Sequence, residues 1–400
     1  MRDYSIDPKF VEQLVEDVLE FIHGDTESQS EERFNKLALR EFELQYLTNK
    51  PYREYCKDRN LSPETITRWE EIPAVPSSEF RNFILSIPDK TAEQRCLASG
   101  NIIPKHRNQK IFQNKRVPEL INSANTILTR LFLFPDVEKI KILLMVPSPK
   151  MAPLMDKAIG LDGLRLKFGT PDSRFLISPM GLDIKTLLRG LKQSEKTREP
   201  LALIGVTGAL IQFFSACEKE GIKFSLPQGN RICDVERRRG QFGDCSKEEY
   251  FRKCREIMGV EEGFCINVLW ICESSTIYFD NALKNNLSGV KKNRYKEIPP
   301  WTRTTVVDTS EFKRLPWGKI GLLRHYDLTN RAMSFAVQTA NLGLEIEDGF
   351  DIIGAWNKKM GEIEVDHSMG HPGGKIVTQM LVYLMRRRLS KVGKIYSHLK

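Results

Sequence analysis

Apolar residues recur at helical spacing through Phe10, Val11, Leu14, Val15, Val18, Leu19 and Ile22, which predicts an amphipathic helix over 8–22 stopped by Gly24 and Asp25. Phe34, Leu37, Leu44 and Leu47 mark a second helical region over 31–58. Residues 60–65 read as a cap and short helix, because Ser62-Pro63 is a start signal. Residues 69–76 read as extended, since Pro73 and Pro76 each push the preceding residue out of the helical region.

The middle of the chain alternates helices with short apolar runs. Residues 119–133 are helical in pattern, and 140–146 form a buried strand ended by Pro147-Ser148-Pro149. A short strand over 174–177, a helix over 182–191, a second buried strand over 201–206 and an amphipathic helix over 207–220 follow. Apolar strands alternating with helices imply a sheet covered on both faces. Residues 300–356 are richer in strand signals, at 304–307, 319–324 and 350–353. Over 377–392, Met380, Leu381, Leu384, Met385 and Leu389 share a helical face beside Arg386-Arg387-Arg388. There is no internal repeat and no low-complexity linker.

Composition narrows the class. A chain of 400 residues with 40% hydrophobic content suits one large α/β domain or two ordinary ones. No apolar run reaches the roughly 18 residues a transmembrane helix needs. Met1-Arg2-Asp3-Tyr4-Ser5 lacks the apolar core of a signal peptide. The eight cysteines include no Cys-x-x-Cys pair, so zinc-ligand spacing is absent, no metal is expected, and reduced thiols in the cytoplasm are the expectation. Basic residues number 61 against 52 acidic, a net +9 that is spread except at Arg237-Arg238-Arg239 and Arg386-Arg387-Arg388. That excess fits solvated surface charge, an acidic carrier protein or a phosphate-bearing cofactor better than nucleic acid.

Several motifs then stand in a telling order. They are Trp69-Glu70-Glu71-Ile72-Pro73-Ala74-Val75-Pro76-Ser77-Ser78-Glu79-Phe80, Phe168-Gly169-Thr170-Pro171-Asp172-Ser173, Pro300-Trp301-Thr302-Arg303, Gly321-Leu322-Leu323-Arg324 and Gln338-Thr339-Ala340-Asn341-Leu342-Gly343. From about residue 30 to residue 356 the chain thereby resembles the acyl-protein synthetase family. That is the family of the luciferin-component fatty-acid ligase, a relative of phenylacetate-CoA ligases in the adenylate-forming superfamily. The resemblance implies an α/β fold of adenylate-forming type with its active site in a cleft between subdomains. It divides the chain into a helical N-terminal region over 1–90, an acyl-adenylating-type α/β domain over 91–356 and a short segment with a basic helix over 357–400. The 44 residues after Trp356 are too few for the family's mobile C-terminal domain of roughly 100 residues, which is therefore expected to be lacking. The thioester-accepting cysteine that luciferase-associated members carry near the C-terminus also has no counterpart, the last cysteine being Cys272.

The resemblance also exposes departures. A family segment like Asn-Glu-Tyr-Gly-Met-Thr-Glu, whose glycine leaves room for adenine, whose threonine touches phosphate and whose glutamate holds Mg²⁺, aligns with Asn267-Val268-Leu269-Trp270-Ile271-Cys272-Glu273. The phosphate loop, like Thr-Ser-Gly-Thr-Thr-Gly, aligns with Ala98-Ser99-Gly100-Asn101-Ile102-Ile103-Pro104, where β-branched bulk replaces hydroxyls and glycine. Glu236 and Arg237 replace paired glycines, Asn341 replaces the ribose-binding carboxylate, and Ala355 replaces an arginine. ATP and Mg²⁺ are therefore doubtful, and no tightly bound cofactor is expected. Within the implied cleft, Cys272 is the candidate nucleophile, His106 its base, and Glu273 the orienting or basic carboxylate. Trp270, Asn341, Ser99 and Gly100 are the candidate substrate-binding residues. The plainer alternatives are that Cys272 fills space as a small apolar residue and that His106, like His367 and His371, is a loop histidine. Three functions remain in order: transfer of a pre-activated acyl group, with coenzyme A thioester as substrate and an acyl carrier protein as acceptor; an ATP-dependent acyl-protein synthetase or acyl-CoA ligase; and a non-catalytic acyl-binding or regulatory homologue.

Overall fold

The computed structural model of the chain describes residues 6–77, 93–95, 111–113, 116–152, 156–235, 245–271, 273–331, 334–356 and 383–399. Helix α1 (Pro8–His23) starts at Asp7, whose carboxylate accepts from Lys9 N at 2.9 Å, and Pro8 supplies a preset φ at the first position. The single helical region expected over 31–58 is corrected to two helices, α2 (Glu31–Thr48) and α3 (Lys50–Lys57). Pro51 cannot donate a backbone hydrogen bond and its ring would strike the preceding turn, so α2 cannot run through it. Asn49 serves as the new cap, accepting from Tyr52 N at 3.0 Å. The short helix expected over 60–65 is only a turn, closed by Thr65 N on Ser62 O at 3.0 Å. The stretch expected to be extended opens on a 3₁₀ turn, Trp69–Glu71, and only β1 (Val75–Pro76) is strand.

The next elements are β2 (Glu93–Arg95) paired with β3 (Ile111–Gln113), then α4 (Val117–Phe132), β4 (Lys141–Pro147), α5 (Asp156–Phe168), β5 (Arg174–Ser178), β6 (Gly181–Leu182), α6 (Ile184–Thr197), β7 (Leu201–Val206), α7 (Thr207–Lys219), β8 (Arg231–Val235), α8 (Lys247–Met258), β9 (Cys265–Leu269) and β10 (Tyr278–Phe279). They build a seven-stranded sheet in the order β10-β9-β8-β7-β4-β5-β6, parallel from β9 to β5 with antiparallel edges. The strands serve two cores by alternation. Ile142, Leu144, Ala202, Ile204 and Ile266 face the core under α4, α5 and the N-terminal helices, while Leu143, Met145, Leu203, Ile232 and Cys265 face that under α6, α7 and α8. The helix expected from residue 182 starts at Ile184 instead. Gly181 adopts φ +93° to fold β6 back onto β5, and Asp183 then caps α6 through Thr186 N at 3.1 Å.

After α9 (Ala282–Ser288) come β11 (Lys296–Glu297), β12 (Thr302–Val307), β13 (Gly321–Asp327), β14 (Ala336–Ile346) and β15 (Gly349–Ala355). They form an antiparallel sheet in the order β11-β15-β14-β13-β12, which β1 joins in parallel beside Val337 and Gln338. Gly343 is required there, since a Cβ would stand 2.2 Å from Asp351 O. The N-terminal helices lie against this sheet through Trp69, edge-on to Tyr326 at 4.8 Å and to Phe34 at 5.8 Å. Of the helix expected over 377–392, Met380 and Leu381 fall outside the described residues. Residues 383–389 are helical, and a separate short helix α10 (Val392–Ser397) follows. Among the described residues no helix is long and apolar enough to cross a membrane.

His325 sits in β13 with its ring between Tyr278 and Phe350, each 5.4 Å away by centroid. Nδ1 shares a hydrogen bond with Thr304 Oγ1 at 2.9 Å, while Nε2 has no partner. Burial pushes its pKa down from 6.5 to about 3. Between those values the unfolded chain binds a proton that the folded one excludes, so this contribution is whole above pH 6.5 and shrinks as pH falls. Stability should drop by about 1.4 kcal/mol per pH unit in that window, or about 2 kcal/mol from pH 6.5 to 5. Urea midpoints across that range check it, and a His325→Gln variant should show a correspondingly flatter profile.

Candidate functional site

The loop from Trp270 to Thr276 leaves the carboxyl end of β9, where parallel α/β sheets open the crevice that holds ligands. Its entry is fixed by Asn267. The Asn267 amide donates to Asp234 Oδ2 at 2.7 Å, and Lys296 Nζ donates to Asn267 Oδ1 at 2.6 Å. Its exit is fixed by Asp327 at the end of β13. One carboxylate oxygen accepts from Ser274 Oγ and Thr276 N, both at 2.9 Å. The other accepts from Thr329 N at 2.9 Å and Thr329 Oγ1 at 2.7 Å. Trp301 Nε1 donates to Thr276 Oγ1 at 3.2 Å, and Asn330 Nδ2 donates to Glu273 O at 2.7 Å. From the other side, Asn125 of α4 donates to Ser275 O at 2.9 Å and accepts from Ile277 N at 3.1 Å. The loop is thus clamped by Asp327 of β13, by Trp301 just before β12, by Asn330 just beyond β13 and by Asn125 of α4.

Two of the expected site residues meet structure directly within this loop. Glu273 has its carboxyl pushed up by burial, with its own backbone N–H and the Ser77 hydroxyl pulling the other way. Ser77 follows β1 and is held on β14, its N–H on Gln338 O at 2.8 Å and its Oγ 3.2 Å from the same oxygen. Trp270 is partly buried against the core beneath α4 and α5. Its indole lies over Gly160 of α5, where a Cβ would stand 2.2 Å from Cη2 and 2.8 Å from Cζ2. Asn341 is a buried β14 residue opposite Ala355, beside the irregularity between Leu342 and Gly343. Trp356 N donates to Ala340 O at 2.9 Å, so β15 ends next to the place where β1 joins β14.

Cys272, His106, Ser99 and Gly100 lie outside the described residues, as do Glu236, Arg237, His367 and His371. Six cysteines are described, all buried and none in a disulfide. Burial pushes the Cys56 and Cys217 thiols up to about 12 and Cys233 well above its ordinary value, which disfavours thiolate chemistry there.

The sequence reading missed Ser77 as a neighbour of Glu273, Gly160 as the seat of Trp270, and the clamp formed by Asp327, Asn330, Thr276 and Asn125. Ser77 and Trp301 did stand in quoted motifs, which was the available signal. The motif at 168–173 has a different role: Ser173 Oγ accepts from Ile142 N at 2.9 Å, and Asp172 pairs with Lys141 at 2.7 Å. It borders a cavity of about 320 Å³ with Lys139, Gln193 and Thr197, at the amino ends of the parallel strands and so opposite the Trp270 loop.

Residues 11–355 match the family described as acyl-protein synthetase, LuxE. The chain belongs to that family. Membership reaches about twenty residues further toward the N-terminus than the resemblance read from about residue 30, taking in most of α1. No curated protein matches the chain. Among solved structures it is similar to a 2-hydroxyisobutyryl-CoA ligase in its postadenylation state with 2-HIB-AMP, at 13% identity and TM-score 0.53, over 78% of this chain and 63% of that one. An open conformation of the ligase with 2-HIB-AMP and CoA gives 12% identity and TM-score 0.56, over 78% and 65%. Its thioesterification state gives 12% and 0.56, over 86% and 72%. The chain thus spans less than two thirds of the length of the first two. These likenesses establish the fold, an α/β architecture of the adenylate-forming type, as the motifs implied. Within this acyl-protein synthetase family fold, the Trp270–Thr276 loop occupies the carboxyl edge of the parallel sheet, and the second sheet closes over it.

Proposed function

We propose that the protein transfers an acyl group that arrives already activated, as a coenzyme A thioester, to the thiol of an acyl carrier protein. The observation that carries this reading is the Trp270 indole seated on Gly160, because it fills the room that a glycine at position 270 would leave. Asn341 in place of a carboxylate, and the changed residues at 236, 237 and 355, point the same way. In this reading the changed residues disfavour an adenine nucleotide bound in the manner of the family pattern, and the transfer uses neither ATP nor Mg²⁺. In this scheme Cys272 gives its proton to His106 and its sulfur attacks the thioester carbonyl. The carbon–sulfur bond to coenzyme A breaks, and the proton on His106 passes to the departing thiolate. The carrier thiol then attacks the Cys272 thioester, His106 takes its proton, and that proton returns to the Cys272 sulfur as it leaves. Glu273, with its raised pKa, orients His106 or shares its proton.

Incubation with a panel of acyl-CoA thioesters should leave an acyl mass increment on the protein that Cys272→Ala abolishes. Substrate-dependent pyrophosphate release from ATP would sink the proposal. Trp270→Ala should shift kcat/KM toward longer or bulkier acyl groups by about tenfold or more, the usual weight of apolar volume in a pocket. An unchanged preference would remove Trp270 from the acyl pocket. The second reading, an ATP-dependent acyl-protein synthetase, is favoured by family membership and by the retained Glu273 beside Ser77. The pyrophosphate measurement separates the two.

A further inference from the structure

Helix α6 sets Lys185, Arg189, Lys192 and Lys196 at spacings of four, three and four, which makes one outward stripe while Ile184, Leu187, Leu188 and Leu191 face the core. The segment 383–389 and α10 pack beside it, burying Met385, Leu389 and Val392 in the same core. Lys192 Nζ stands 4.2 Å over the Tyr396 ring, and Arg388 Nε donates to Met180 O at 3.0 Å, so the two stretches form one continuous face. The second stretch adds Arg386, Arg387, Arg388, Lys391 and Lys394. Among the described residues, none of these nine side chains forms an ion pair. Three carboxylates border the face: Asp183 accepts from Thr186 N at 3.1 Å, Glu195 accepts from Ser225 N at 2.7 Å, and Glu220 lies against Gly393 of α10. At one end of the face, Met180 and Tyr383 are 66% and 63% exposed.

The nine like charges along these two stretches outnumber the three neighbouring carboxylates, so they repel one another and weaken the compact state. Such a face therefore calls for an anionic counter-surface. Five of the nine are lysines, a residue depleted from protein–protein contacts, whose anchors are aromatic and arginine side chains seated in pockets. A broad basic face with an exposed tyrosine and methionine at its edge instead matches what adsorbs to charged headgroups while dipping apolar groups between them. We propose that the face made by α6 and the 383–397 segment docks this protein on an anionic phospholipid surface. The proposal is independent of the acyl chemistry assigned above and would hold for either reading of it.

The test is co-sedimentation of the full chain with vesicles of phosphatidylcholine alone and of phosphatidylcholine mixed with phosphatidylserine, at low and high salt. Binding is expected only to the mixed vesicles, and salt should reverse it. The variant Lys185→Gln/Arg189→Gln/Lys192→Gln/Lys196→Gln should lose more than a hundredfold in partitioning, from about fivefold per residue removed. A second variant, Arg386→Gln/Arg387→Gln, should lose about twenty-fivefold by the same arithmetic. The control Lys9→Gln/Lys36→Gln/Lys50→Gln/Lys291→Gln sheds equal charge from exposed sites elsewhere and should bind like the wild type. Equal sedimentation with both vesicle types, or an equal loss in the control, would overturn the proposal. So would tighter binding to DNA or to an acidic protein than to the mixed vesicles at the same salt.

Discussion

Asp327→Ala is expected to lower stability by about 3–5 kcal/mol, the largest effect of any single substitution around the site. The carboxylate is 2% exposed and accepts four hydrogen bonds. The Ser274 and Thr329 hydroxyls can turn toward other acceptors, but the Thr276 and Thr329 backbone N–H groups cannot, and each would be left buried without a partner. Asp327→Asn keeps one oxygen and sets an NH₂ group against two donors, so an intermediate loss is expected. Urea unfolding followed by circular dichroism measures both. Because two of the four bonds hold Ser274 and Thr276, just after Glu273, the proposed acyl transfer should also fall in the variants while they remain folded. An Asp327→Ala protein with the wild-type midpoint would show that the clamp contributes nothing.

The second large effect concerns Glu41 of α2 and Arg331 beyond β13, at 1% exposure each, which meet through paired hydrogen bonds, Arg331 Nε to Glu41 Oε2 at 3.2 Å among them. Arg331→Met alone should cost about 3–5 kcal/mol, because it strands a buried carboxylate. The double variant Glu41→Met/Arg331→Met should return to within about 1 kcal/mol of the wild type, or exceed it, since burial of both charges is costly to begin with. Arg331 Nη1 has no partner at all, which adds to that cost. Additive losses in the double variant would contradict this account. The cycle needs only denaturation midpoints of four proteins.

These two interactions also mark the limit of what the chain discloses by itself. Strand β4 was legible because Ile142 to Val146 are all apolar and buried on both faces, which leaves a continuous run that resembles little else. Strands β8 and β9 were missed because buried polar residues interrupt the run: Arg231 reaches Asp136 at 2.8 Å, and Asn267 bonds Asp234. The α2–α3 break was hidden by Leu44 and Leu47, whose helical period continues up to Pro51. Of the site, the Trp270–Glu273 segment and Asn341 were visible through family motifs. Ser77 beside Glu273, Gly160 under Trp270 and Asp327 beneath Thr276 were not, because those partners are brought together only by sheet assembly and leave no local periodicity. A buried acceptor such as Asp327 reads in sequence like any other acidic residue at a strand end.

Ser77 and Gln338 are 261 positions apart, yet the strand pairing between them sets the carboxyl end of β1 beside Glu273. On the ribosome, therefore, the helices α1 to α3 emerge long before the sheet that receives them. Until β13 and the turn after it have been made, Trp69 lacks Tyr326 and Glu41 lacks Arg331, so the earliest part of the chain waits with apolar surface and a charge uncovered. Folding of the seven-stranded sheet can begin with neighbouring βα units, whereas closure over the Trp270 loop belongs to the last steps of synthesis. A nascent chain halted before residue 321 would carry the whole seven-stranded sheet without the Asp327 clamp.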